Sequence, residues 1–330
     1  MQSMDLRVIS GDEVRELLPY GDCVAAIESA MRSVSAGKVV MPLRQLMPLP
    51  AGDGALAWMP GYLGDPECFG IKLLSLFPGN PAVGLSSHLG LYALYEARNG
   101  RPLAVLEASV LTAIRTAAAS VVATRALARS DSRVLAIIGT GEEARSHVEA
   151  FQAVRPFERV LIWGRNEAAA STLAQHTRSL GRCDVEIVPC VRDALARADV
   201  VCTVTASSEP LLSGGDVRAG THLCLVGASI PSRREVDDDC VAMSRFFVDY
   251  RGSAMAQAGE LLHALKAGRV TEAHIVAEIG EVLSGAVAGR RSATEVTVYK
   301  SLGVAAQDLA AAMLVYRRAV ERDQGAVARI

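Results

Sequence analysis

The sequence predicts an α/β protein in which a doubly wound parallel sheet occupies the middle of the chain and a separate α+β domain is built from its two ends. Three observations carry this. Val134 to Ile138 is an unbroken apolar run that ends in Gly139-Thr140-Gly141 and opens into the helix-compatible Glu142-Glu143-Ala144. Strand and helix patterns then alternate, the βαβ rhythm of a Rossmann-type sheet. Residues 40 to 107 read differently, as strands broken by hairpin turns. The expected division is 1–116 with 305–330 as one domain and 117–304 as the other.

Composition suits a soluble enzyme with a sizeable core. Half of the 330 residues are hydrophobic, 21% are charged, and the net charge is −2. Such a balance argues against a nucleic-acid or membrane partner. Seven cysteines are scattered with no CxxC spacing, so free buried thiols are expected, with no metal site. The first residues show no basic stretch followed by an apolar one, and no run of 18 apolar residues occurs. A cytoplasmic protein is the expectation.

Taken in order, Ser10 followed by Glu13 marks a helix start. A second helix is expected over about 22–36, with Val24, Ile27, Ala30, Met31 and Val34 on one face and Gly37 ending it. Strands are expected over 43–49, 55–60, 68–76, 89–96 and 103–107. Residues 110–129 read as an alanine-rich helix carrying Arg115. After the glycine turn come helix 142–154, strand 159–163, helix 167–179, strand 185–189, helix 191–197 and strands 200–205, 222–227 and 245–249. Helical segments are expected over 254–267, 275–283 and 302–322.

Two cations stand in apolar strands, Arg44 and Lys72. Each could snorkel at a strand edge, or each could serve a buried anion. The glycine turn places backbone N–H groups and a helix N-terminus before open space, which suits a dinucleotide pyrophosphate. The next strand ends in Gly164-Arg165-Asn166, where an NAD site usually carries Asp or Glu for the ribose hydroxyls. A cation and an amide suit a 2′-phosphate instead, so NADPH is favoured, with NADH as the alternative. By the rule that ligands sit at the carboxyl ends of parallel strands, Thr205 and Val226-Gly227-Ala228-Ser229 should border the cofactor.

Five stretches in order, IKLLSLFPGNP (71–81), LTAIRTAAAS (111–120), IGTGEEA (138–144), VGASIPSRREVDDD (226–239) and TVYKSLGVAAQDLAAA (297–312), make the chain resemble the ornithine cyclodeaminase/μ-crystallin family. The nearest pattern is its ketimine reductase branch. The resemblance implies a homodimer paired through the α+β domains. It implies that Arg44, Lys72 and Arg115 bind a substrate α-carboxylate, with Lys72 and Arg115 the catalytic candidates. Ser229 would border the substrate. His88, next to Ser87, could border the substrate as well or could equally be a structural histidine bonded to a backbone carbonyl. The implied cofactor set is Ser87, Arg115, Gly139, Thr140, Gly141, Glu142, Gly164, Arg165, Asn166, Thr205, Val226, Gly227, Ala228, Lys300 and Ser301. At Ser229 the cyclodeaminases carry an Asp that engages the distal amine of ornithine, and a serine supplies no such charge. The function expected is therefore reduction of an α-imino acid to the L-amino acid by NAD(P)H, on a cyclic ketimine such as Δ1-pyrroline-2-carboxylate or Δ1-piperideine-2-carboxylate or on an acyclic imine such as iminosuccinate. The alternatives are ornithine cyclodeamination, an alanine-dehydrogenase-like activity, and non-catalytic NADPH binding.

Overall fold

The computed structural model describes residues 4–50, 53–181 and 183–330. It divides into two units, residues 1–115 with 304–330 and residues 116–303.

Unit 1 begins with β1 (Asp5–Ile9), α1 (Gly11–Leu17) and α2 (Tyr20–Ser35). The Ser10 side chain and Glu13 cap α1 reciprocally, as the spacing predicts. The strands β2 (Val39–Val40), β3 (Gln45–Pro48), β4 (Ala55–Gly64), β5 (Glu67–Leu76), β6 (His88–Glu96) and β7 (Pro102–Glu107) follow, and then α3 (Ala108–Leu127), whose residues up to Arg115 belong to unit 1.

Unit 2 runs through β8 (Val134–Ile138), α4 (Glu142–Val154), β9 (Arg159–Trp163), α5 (Glu167–Ser179), β10 (Asp184–Ile187), α6 (Val191–Leu195), β11 (Val200–Thr203) and β12 (His222–Leu225). It continues with α7 (Asp238–Met243), β13 (Arg245–Val248), α8 (Arg251–Gln257), α9 (Gly259–Lys266), β14 (Ile275–Glu278), α10 (Ile279–Leu283) and β15 (Thr297–Lys300). The chain then returns to unit 1 with α11 (Ala305–Glu321) and β16 (Ala326–Arg329).

The sheet of unit 1 has the order β16-β1-β7-β6-β5-β4-β2, with β3 also paired on β4. It is mixed, because β1 joins β7 in parallel while the hairpins β4–β5, β5–β6 and β6–β7 are antiparallel. Alternation sorts its two faces. Ala57, Met59, Leu63, Cys68, Lys72, Tyr92 and Leu94 are buried on one face, the face on which α11 packs across β4 and β5 and against α2. The opposite face keeps Leu73, Leu89 and Leu91 exposed.

Unit 2 is an all-parallel sheet of order β10-β9-β8-β11-β12-β15-β13-β14. Strand order reverses at β8–β11, so the ligand edge is at the carboxyl ends of those two strands and their neighbours. Its central strands β8, β11 and β12 are buried on both faces, as a helix-covered parallel sheet requires.

Three expectations are corrected. The expected helix over 275–283 is a strand, β14, followed by the short α10, because parallel pairing with β13 overrides the helical spacing of IVAEIGEVL. The expected helix over 254–267 is two helices broken at Ala258. Residues 297–300, read only as part of a motif, form β15 in the middle of the sheet. The helix α3 is long and apolar enough to cross a membrane by length and composition, but 78% of its apolar stretch is buried inside the protein.

Candidate active site

In unit 1 the inward face of β5 carries Lys72, only 1% exposed. Its Nζ donates to Asp308 Oδ1 at 3.0 Å and to Thr112 Oγ1 at 3.3 Å. Arg115, on the first turns of α3, donates from Nε to the same Asp308 oxygen at 2.9 Å and from Nη1 to Gln307 Oε1 at 3.0 Å. The motif reading placed Lys72 and Arg115 among the substrate residues, and their two side chains meet on one carboxylate. Arg44 immediately precedes β3, half-buried, with Nε against Met59 Sδ at 3.4 Å.

Asp308 is the residue that sequence reasoning missed. It lies inside a quoted motif, TVYKSLGVAAQDLAAA, yet an acidic residue near a helix start reads as an ordinary helix-dipole group. Only α11 returning across β5 makes it the counter-ion of two buried cations. It is fully buried, and its Oδ2 has no hydrogen-bond partner.

Two cations and one carboxylate leave the cluster one positive charge in excess before Arg44 is added. Burial pushes the Lys72 ammonium down to about 7, Arg115 pushes the same way, and Asp308 opposes them. Burial would raise the Asp308 carboxyl, but Arg115 and Lys72 overcome that and hold it below the usual carboxylate range. The charge balance of such a buried cluster leaves room for an anion, and a second carboxylate would oppose the loss of charge that burial imposes on Lys72.

His88 stands apart from this cluster. It opens β6 opposite Leu76, whereas Lys72 faces Tyr92 four positions along the ladder, a separation of about 13 Å. His88 is exposed, and its Nδ1 lies 2.8 Å from Ser87 Oγ.

In unit 2 the glycine turn sits where the strand order reverses. Gly139 has φ +129°, and a Cβ there would lie 2.6 Å from the Val204 carbonyl oxygen, so the turn and the loop after β11 touch backbone to backbone. Gly141 is the N-cap of α4, with no side-chain cap, and nothing lies within 4 Å of where its Cβ would be. Thr140 and Glu142 flank it. A Cβ at Gly164 would run into the Thr140 methyl group. Arg165 is exposed beside it, and Asn166 caps α5 through Oδ1 to Ala169 N at 3.0 Å.

Thr205, Val226, Gly227, Ala228 and Ser229 follow the ends of β11 and β12, as the parallel-strand rule places them. Lys300, at the end of β15, is fully buried and bonded to Ala228 O and Glu260. The Ser301 hydroxyl is buried with no hydrogen-bond partner. An uncapped helix start after a glycine turn, open space before it and an unmatched buried hydroxyl fit a dinucleotide at this edge.

The sequence profile of the ornithine cyclodeaminase/mu-crystallin family matches residues 4–323. The chain belongs to that family. Ketimine reductase mu-crystallin of Mus musculus is 36% identical over 312 residues, 93% of this chain and 96% of the relative. The structure of Thermococcus litoralis Δ1-pyrroline-2-carboxylate reductase, solved with NADH and L-proline, superposes with a TM-score of 0.94 at 34% identity, covering 97% of this chain and 99% of that one. An archaeal alanine dehydrogenase dimer with bound NAD gives a TM-score of 0.92 at 32% identity over 98% of this chain and 99% of that one.

The cluster makes a prediction about stability. Asp308→Asn leaves two buried cations without their counter-ion and should cost about 3–5 kcal/mol. Lys72→Met keeps the Arg115–Asp308 pair and should be far milder. Between about 7 and its ordinary 10.5, Lys72 binds fewer protons folded than unfolded, so its contribution to stability rises with pH across that window and is lost as pH falls through about 7. Denaturant titrations at about pH 6 and about pH 9 should show that rise in the wild type and a smaller one in Lys72→Met. Equal rises would refute the depressed lysine.

Proposed function

We propose that this protein reduces an α-imino acid to the corresponding L-amino acid with NAD(P)H. The observation that carries the reading is the buried Lys72–Asp308–Arg115 cluster with its surplus positive charge, since a protein that only stored a cofactor has no use for a dry carboxylate clamp. Mu-crystallin named as a ketimine reductase, and the L-proline and NADH in the Thermococcus enzyme, support the substrate class and the redox partner.

Arg44, Lys72 and Arg115 hold the α-carboxylate. Asp308 keeps Lys72 and Arg115 in place, so the benefit is mostly orientation of the neighbouring C=N carbon. A dinucleotide held at the glycine turn by Gly139, Thr140 and Gly141 would supply the hydride for that carbon, and the nitrogen would gain the proton that completes the amine. A cyclic imine that arrives protonated brings this proton itself. For a neutral imine, Lys72 is the donor through a water, since its ordinary value of 10.5 is brought down to about 7 and proton loss at neutral pH is easy. Cyclic ketimines of the pyrroline and piperideine type are the proposed substrates, with acyclic imines such as iminosuccinate accepted through the same carboxylate.

Ser229 speaks against cyclodeamination, because it offers no fixed negative charge to a distal ammonium. The alanine dehydrogenase neighbour supports a second reading, in which the imine of a 2-oxo acid and ammonia forms in the site and is then reduced. The two share every residue role and differ in whether ammonia is consumed.

The cofactor is proposed to be NADPH, held at its pyrophosphate by Gly139, Thr140, Gly141 and Glu142 and at its 2′-phosphate by Arg165 and Asn166. Gly164 in place of an acid, with the exposed cation Arg165 beside it, favours this. Ser87, Arg115, Thr205, Val226, Gly227, Ala228 and Ser301 complete the proposed contacts. The compartment is proposed to be the cytoplasm.

The assembly is proposed to be a homodimer. The outward face of the unit 1 sheet carries Leu73 and Leu91 directly opposite one another, 38% and 54% exposed, with Trp58 beside Leu73 and the stacked pair Phe69–Tyr95 at 5.1 Å. An apolar sheet face of this kind is what a self-complementary interface covers, and the alanine dehydrogenase neighbour is a dimer.

Absorbance at 340 nm should fall when the protein meets NADPH and a cyclic ketimine, and no oxidation with any cyclic or acyclic imino acid would overturn the reading. Arg115→Ala should lower kcat/KM for the imine about tenfold to a hundredfold, mostly through KM, by loss of a charged hydrogen bond. Arg165→Ala should raise KM for NADPH about tenfold and leave KM for NADH nearly unchanged. Equal effects on both cofactors would remove the 2′-phosphate assignment. The double variant Leu73→Asp/Leu91→Asp should elute as a monomer in size-exclusion chromatography at concentrations where the wild type is dimeric.

A further inference from the structure

A second buried charge cluster lies in unit 2, and imine reduction as described makes no use of it. Glu235 is fully buried. Its Oε1 accepts from Thr205 N and from Thr205 Oγ1, each at 2.8 Å. Its Oε2 accepts from Thr203 Oγ1 and from Gly227 N, each at 2.7 Å. Each oxygen thus takes one backbone N–H and one hydroxyl. The four donors come from the carboxyl ends of β11 and β12, neighbours in parallel register.

Glu235 closes the loop that leaves β12, and the same loop is held a second time. The backbone N–H of Glu235 meets Glu260 Oε1 at 3.3 Å. Glu260, fully buried, pairs with Lys300 at 3.0 Å. Lys300 Nζ also donates to the Ala228 carbonyl at 2.5 Å. The strand ends and the loop between Gly227 and Glu235 are therefore fixed by one carboxylate and one ammonium, and the second carboxylate links the two.

An ionised carboxylate is a pure acceptor and matches four donors. A glutamine does not. Whichever way its amide turns, the NH2 faces a backbone N–H, Thr205 on one side or Gly227 on the other, and one strand end loses its anchor. Four donors suit a carboxylate here even though burial, and the Glu260 carboxylate with it, pushes the Glu235 carboxyl up, and the edge it shapes is the one at which ligands of parallel sheets bind.

We propose that Glu235 is a positioning residue for the dinucleotide: its carboxylate holds the ends of β11 and β12 in the shape that receives the cofactor, and Lys300 acts with it through Glu260 and Ala228 instead of touching the cofactor. This rests on unit 2 being the cofactor-binding unit. A merely structural role would loosen the protein as a whole, whereas a positioning role weakens the cofactor selectively.

Steady-state kinetics with the full-length protein separate the two. Glu235→Gln should raise KM for the preferred cofactor about tenfold, while KM for the imine at saturating cofactor stays within about twofold. Thr203→Val removes a single donor from a strand residue of nearly unchanged shape and should raise the cofactor KM about threefold. Thr203→Ser keeps the hydroxyl and should restore the wild-type value. Should Glu235→Gln not fold, the Val and Ser pair at 203 decides alone. An unchanged cofactor KM in Thr203→Val, or a parallel rise of both KM values, overturns the proposal. Cofactor binding is also measured directly by titration calorimetry. A wild type that binds neither NADH nor NADPH removes the reading of unit 2, and with it this proposal. A wild type and Glu235→Gln that bind equally remove the proposal alone.

Discussion

Unit 1 depends on one carboxylate. Without Asp308, Lys72 and Arg115 would be two like charges in a dry interior, an arrangement that costs a large share of a fold's ordinary stability. With it, the pair is held within 3.0 Å of one oxygen, and the cluster keeps a positive charge that is still available. The supporting architecture follows from that need. β5 must turn Lys72 inward, α3 must begin where Arg115 reaches the same point, and α11 must lie across the sheet to bring in an acid from the far end of the chain.

Unit 2 meets the opposite electrostatic problem with the same economy of means. Its cluster has two carboxylates and one ammonium, so it carries surplus negative charge, and hydrogen bonds from backbone N–H groups and threonine hydroxyls do the neutralising. In unit 1 two buried cations share one carboxylate. In unit 2 buried charge is used up on the protein's own strand ends. The proposed reductase would need both, a clamp that waits for an anion and an edge that keeps its shape before the cofactor arrives.

Much of this was legible in the sequence. β8, α4, β9 and α5 stand at the expected residues, because an apolar run, a glycine turn and clear helix caps are local signals. The cations were visible too, since a lysine in an apolar strand is conspicuous. Other features were hidden for physical reasons. β1, β2 and β16 are short edge or near-edge strands whose pairing partners lie far away in sequence. β14 has a helical spacing that parallel pairing overrules. Asp308 and Glu235 each look like a surface acid, and nothing near them in sequence reports that they are buried.

The sequence by itself determined the family, the two-part organisation, the glycine turn and the presence of cations in apolar strands, because each is written in neighbouring residues. Only the tertiary structure decided which charges face one another. It joined Lys72 and Arg115 to Asp308, set His88 apart from them, and tied Lys300 to Glu260 at the ends of the parallel strands. Ion pairing depends on distance in space and on exclusion of water. Residues 236 positions apart, as Lys72 and Asp308 are, acquire both only when the chain has folded.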